Sequence, residues 1–110
     1  MTLSTHVLDT ANGRPASHVR LYLSKGNVIL FEGTTNEDGR CPELGALTVH
    51  RGLYSLTFLV ADYFRSHGVE LSDPPFLDTI VIDFGVTDGV AHYHVPLLVS
   101  PFAYSTYRGS

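Results

Sequence analysis

A two-residue alternation of apolar and polar side chains recurs along this chain and limits what it can fold into. Val19, Leu21 and Leu23 alternate with Arg20, Tyr22 and Ser24. Tyr54, Leu56, Phe58 and Val60 alternate with Ser55, Thr57 and Leu59, and Ile80, Ile82 and Phe84 with Thr79, Val81 and Asp83. Successive side chains of a strand point to opposite faces, so each run predicts a strand with one buried face. Further strands are expected at Leu3–Asp9, Val28–Thr35, Leu47–His50, Val90–Val99 and Phe102–Tyr107. Turn formers stand between them: Asn12-Gly13-Arg14-Pro15, Lys25-Gly26-Asn27, Asn36-Glu37-Asp38-Gly39, Ser72-Asp73-Pro74-Pro75 and Asp88-Gly89. About eight short strands at this spacing predict an all-β, antiparallel sandwich. One short helix is expected at Ala61–Ser66, ahead of His67-Gly68.

The length of 110 residues predicts one domain, residues 1–110. A monomer of this size buries roughly 60–70% of its unfolded surface, so association with further copies would add burial. One Lys and six Arg against eleven acidic residues leave a net charge of −4, which excludes a nucleic-acid backbone as partner. No run approaches the roughly 18 apolar residues that a membrane-spanning helix needs, and no membrane partner is expected. Cys41 is the single cysteine, which removes an intramolecular disulfide and zinc sites built on paired cysteines. The segment Met1 to His6 has neither the basic stretch nor the apolar run of a secretory signal, so a cytoplasmic location is expected.

Within Val90–Val99, the residues Ala91, Tyr93, Val95, Leu97 and Val99 form the expected core face. His92 and His94 then point away from the core, on a face that also carries Val90, Pro96 and Leu98. Such a face is too apolar for plain solvent and predicts an interface or a cleft. The two histidines read either as the polar rim of that interface or as working groups of the cleft. His6 poses the same question, sharing a face with Ser4 and Leu8 opposite Leu3, Thr5 and Val7. Arg40 follows the Asp38-Gly39 turn, where the ordinary expectation is a solvated side chain. His18, His50 and His67 fall in or beside turns and are expected at the exposed surface, while Cys41 is expected to be a buried thiol. The His92-x-His94 spacing also occurs in zinc sites, with His6 as a third candidate ligand. Arg40 nearby would repel a divalent cation, and no metal is expected.

The end of the chain keeps strand-forming aromatics, Phe102, Tyr104 and Tyr107, up to Arg108-Gly109-Ser110. Chain ends are usually frayed. This one can hold Arg108 and its terminal carboxylate in a fixed place.

Several of these stretches together are similar to one known family. Leu3-Ser4-Thr5-His6-Val7-Leu8-Asp9 with Gly13-Arg14-Pro15-Ala16, then Asp38-Gly39-Arg40, then His92-Tyr93-His94-Val95-Pro96-Leu97-Leu98 resemble the 5-hydroxyisourate hydrolases, the enzymatic branch of the transthyretin-like proteins. Tyr107-Arg108-Gly109-Ser110 resembles the terminal signature that separates those enzymes from the transthyretin hormone carriers. The resemblance spans nearly the whole chain. It implies an eight-stranded transthyretin-like sandwich with one short helix, assembled as a homotetramer, a dimer of dimers, with clefts at the dimer–dimer interface. It implies hydrolytic opening of the six-membered ring of 5-hydroxyisourate in urate breakdown, with no cofactor.

Carried over by position, His6, Arg40 and His94 are the catalytic residues, and Tyr107, Arg108, Gly109 and Ser110 close the substrate pocket. His92 precedes the matching histidine and is not itself the catalytic position. The residue types suit the chemistry. A neutral histidine accepts a proton from water near neutral pH, and an arginine fork holds a developing oxyanion. Two other classes compete: a carrier that binds a flat aromatic ligand between subunits, and a purely structural sandwich. Neither calls for two histidines, an arginine and the terminal tetrapeptide together.

Overall fold

The alternation in the sequence becomes the burial pattern of the strands. In β1 (Thr2–Asp9), Leu3, Thr5, Val7 and Asp9 are buried, whereas Thr2, Ser4, His6 and Leu8 are half-buried on the other face. The computed structural model describes residues 1–110. It continues with β2 (Arg14–Pro15), β3 (Arg20–Lys25), β4 (Val28–Thr34), β5 (Gly52–Phe58), helix α1 (Val60–Ser66), β6 (Ile80–Val86), β7 (His92–Val99) and β8 (Tyr104–Thr106). One sheet has the order β2-β1-β7-β8 and the other β4-β3-β5-β6. Their inner faces meet in one apolar cluster that includes Leu3, Val7, Leu23, Leu56, Phe58 and Leu97. No helix is long and apolar enough to cross a membrane.

Three expectations change. Leu47–His50 is not a strand. Pro42 opens a 3-10 turn over Pro42–Ala46 that buries Leu44, and beyond it Val49 is tied by a backbone hydrogen bond to the Met1 carbonyl at 2.8 Å. The eighth strand is instead β2, a two-residue pairing of Leu8 with Pro15 and Asp9 with Arg14, too short to leave a period. The sandwich is also not wholly antiparallel, because β1 and β7 pair in parallel over their full length. A period of two fixes which face a residue occupies but carries no strand direction. Smaller differences concern element ends. Val60 starts the helix, and Ala91 lies exposed ahead of β7. His67 is half-buried at the helix end with its ring 4.3 Å from that of Tyr63. Cys41 is buried as expected.

The end of β1 is pinned to the helix by a buried carboxylate. Asp9 accepts hydrogen bonds from the backbone amides of Ala11 and Asn12 at 3.0 Å, from the Asn12 side chain at 2.7 Å and from the Tyr63 hydroxyl at 2.7 Å. Burial pushes the Asp9 carboxyl up, but these bonds outweigh it and hold it below its ordinary 3.8. Burial and the facing carboxylate push the Tyr63 hydroxyl up to about 12. Asp9→Ala leaves that hydroxyl buried without an acceptor and is expected to cost about 2–3 kcal/mol, read from urea unfolding at neutral pH. Because the native carboxyl is lowered, its contribution is complete above pH 3.8 and lost as pH falls through the native value. The gap between wild type and variant should therefore close in acid.

Candidate active site

The parallel pairing of β1 with β7 sets Ser4 opposite His94 and His6 opposite Pro96. Residues paired across a sheet share a face, so Thr2, Ser4, His6, His92 and His94 stand together on the outer face, away from the core. Arg40 reaches this face through a tight turn. The Asn36 side-chain oxygen accepts from the amides of Asp38 at 3.0 Å and Arg40 at 3.1 Å, and the Asn36 amide donates to the Arg40 carbonyl at 2.7 Å. Gly39 sits in this turn at φ +75°, and a Cβ there would overlap the Val7 carbonyl. Only glycine combines that backbone angle with that approach. The result is a bridge that pairs His6 with Arg40.

Each imidazole is held by a different device. His6 Nε2 lies 2.8 Å from the Asp38 carbonyl oxygen. A carbonyl only accepts, so neutral His6 carries its proton on Nε2 and presents Nδ1 as an acceptor. His94 Nδ1 lies 2.7 Å from Ser4 Oγ. Burial, then the positive charge of Arg40, with His6 and His92 adding to it whenever they are protonated, hold the His94 imidazole below its ordinary 6.5. His94 is therefore neutral at neutral pH.

The chain terminus completes the site. The register that sets Leu97 opposite Thr106 carries on past β8 until Gly109 lies opposite His94, with the Gly109 amide donating to the His94 carbonyl at 2.9 Å. A Cβ on Gly109 would overlap the edge of the His94 ring and stand 3.0 Å from its Cγ. Gly109→Ala is therefore expected to displace the imidazole and to lower kcat/KM by up to about 10²-fold. Thermal unfolding of the same variant should show a folded protein. Tyr107 and Arg108 lie elsewhere, lining a groove of about 240 Å³ with Ile82, Phe84, Tyr93 and Val95. Ser110 ends the chain, exposed.

Thus His6, Arg40, His94 and Gly109 come together, whereas Tyr107 and Arg108 border a groove beside them. Sequence reasoning missed Thr2, Ser4 and the Asp38 carbonyl. Thr2 and Ser4 share the His6 alternation and were readable as its neighbours, but their contact with β7 depends on the parallel register. No three His, Cys, Asp or Glu side chains converge as a metal ion would need. What the face offers is an imidazole with a fixed acceptor nitrogen, a second imidazole held neutral and a guanidinium. That set can move a proton from water and hold negative charge on oxygen.

Comparison with known proteins agrees with this chemistry. The family model described as HIUase/Transthyretin family matches residues 3–109. The chain is 53% identical to the 5-hydroxyisourate hydrolase of Ralstonia nicotianae over 114 aligned positions, covering 98% of this chain and 97% of that one. It is similar to the solved structure of Klebsiella pneumoniae 5-hydroxyisourate hydrolase, with TM-score 0.87, 37% identity and 100% of both chains covered. Sea bream transthyretin in complex with thyroxine also has TM-score 0.87, at 28% identity over 99% of this chain and 95% of that one. The fold is equally close in both structures, and sequence identity leans to the hydrolase.

Proposed function

The chain belongs to the HIUase/Transthyretin family, and on that premise we propose that it is a hydrolase that opens the six-membered ring of 5-hydroxyisourate with water. The observation that carries this reading is the gathering of His6, Arg40 and His94 on one outer face, with Gly109 folded against His94. A carrier for a flat aromatic ligand has no use for an acceptor imidazole beside a neutral one and a guanidinium.

In this scheme His6 Nδ1 takes a proton from water as the oxygen adds to the ring carbonyl. Its Nε2–H stays on the Asp38 carbonyl, so the ring keeps its orientation as it becomes positive. Arg40 holds the oxyanion that forms. When the carbon–nitrogen bond breaks, His94 protonates the leaving nitrogen. Gly109 acts on His94, and from the adjoining groove Tyr107 and Arg108, with Ser110, close the substrate pocket. No cofactor and no metal enter the scheme.

The reading extends to one domain over residues 1–110 and to a homotetramer, a dimer of dimers, acting in urate breakdown in the cytoplasm. Half-buried Leu8 and Leu98 on the histidine face, and exposed Phe102, Tyr104 and Tyr107, offer apolar surface for partner copies. The free thiol of Cys41 suits a reducing compartment.

The test generates 5-hydroxyisourate in place from urate with urate oxidase and follows its ultraviolet decay. Wild-type protein is expected to speed the decay above the spontaneous rate in buffer, and His94→Ala to speed it far less. A folded wild-type tetramer that leaves the decay unchanged would turn the reading to the carrier.

A further inference from the structure

Behind His94, three hydrogen bonds run in series along the outer face. His94 Nδ1 lies 2.7 Å from Ser4 Oγ, Ser4 Oγ lies 2.8 Å from His92 Nε2, and His92 Nδ1 lies 2.7 Å from Thr2 Oγ1. His92 is exposed in the single chain, so the series opens outward from the face at its Thr2 end. We infer that Thr2, His92 and Ser4 form a proton relay that feeds His94 from solvent and takes the proton back. The inference rests on the hydrolase reading above.

The need for a relay follows from the state of His94. A neutral imidazole is a poor acid unless its second nitrogen is protonated while the first gives up its proton. Ser4 has one hydroxyl proton between two imidazole nitrogens, so a relay exists in two polarised forms. In the first, Thr2 donates to His92 Nδ1, His92 Nε2–H donates to Ser4, and Ser4 donates to His94 Nδ1, leaving His94 with Nε2–H. In the second, every bond is reversed.

The step balances. His94 Nε2–H goes to the leaving nitrogen as the carbon–nitrogen bond breaks. Ser4 passes its proton to His94 Nδ1, His92 Nε2–H replaces it, Thr2 protonates His92 Nδ1, and solvent restores Thr2. The new carboxylic acid then gives its proton to His94 Nε2, and the relay runs outward to its first form. The proton that His6 took from water leaves to solvent, so each turnover yields a carboxylate and one proton.

His92→Gln tests this, because the amide can keep a hydrogen bond to Ser4 but cannot pass a proton. We expect kcat to fall by about 10- to 100-fold with KM unchanged. Free imidazole should restore the rate in proportion to its concentration. Ser4→Ala should lose as much, and the double variant no more than either single one. A His92→Gln enzyme with wild-type kcat, or a folded one whose loss imidazole does not restore, overturns the relay while the active wild type leaves the hydrolase reading standing. An inactive wild type removes both. A readout independent of turnover is the ring tautomer by ¹⁵N NMR. His92 and His94 should carry their protons on the same nitrogen, either both Nε2 or both Nδ1. Opposite tautomers, with both rings donating to Ser4, would sink the inference in a variant-free sample.

Discussion

His6→Gln is expected to lower kcat/KM by about 10²–10⁴, the usual contribution of a positioned general base. The substitution is chosen for its geometry. The glutamine amide N–H can take the place of Nε2–H on the Asp38 carbonyl, a bond of 2.8 Å in the native protein. The turn that carries Arg40 is thereby kept, since its own hydrogen bonds come from Asn36. What the amide lacks is the acceptor nitrogen at Nδ1. The loss should therefore appear in turnover and not in folding, and unfolding midpoints of wild type and variant should agree closely. His94→Asn is the companion, because its side chain can still meet Ser4 while nothing occupies the Nε2 position. If His6→Gln kept near-wild-type activity and His94→Asn alone abolished it, His6 would not be the general base and that role would pass to His94.

The contrast between these histidines shows how much of the site was legible. The alternation Ser4, His6, Leu8 against Leu3, Thr5, Val7 placed His6 on the outer face, and the same reasoning placed His94 there. That both lie on one face of one sheet was readable only through the family resemblance. Periodicity gives a residue its face, whereas the neighbour across the sheet depends on register, and Ser4 and His94 are 90 positions apart in sequence. The parallel pairing of β1 with β7 is the step that no local pattern encodes. Gly109 is a similar case: the sequence marked the terminal tetrapeptide but not that its glycine lies against the His94 ring. Leu47–His50 failed for the opposite reason. Its alternation is real, but the preceding 3-10 turn leaves the segment without a strand to pair with. β2 went unseen because two residues cannot display a period.

Arg40→Lys is the second substitution expected to act strongly, lowering kcat by about 10²–10³, as removal of one oxyanion donor does. Lysine keeps the charge but replaces a planar fork with a point charge on a flexible stem, so a fork that meets the oxyanion cannot be reproduced by it. A lysine enzyme with full kcat/KM would remove that role. Charge and fork can be separated by adding Arg40→Met. Among the charged neighbours that lower the His94 pKa, Arg40 comes first, ahead of His6 and His92. Losing the guanidinium should therefore raise the titration midpoint of His94, followed by NMR, while lysine should leave it closer to wild type. In wild type the midpoint should lie below 6.5, so His94 becomes charged only in more acid solution. Both variants should then lose turnover, but only methionine should move the His94 titration upward. A lysine variant that moved it as far as methionine would mean that the guanidinium acts on His94 through position, and that its charge alone does not account for the neutral imidazole.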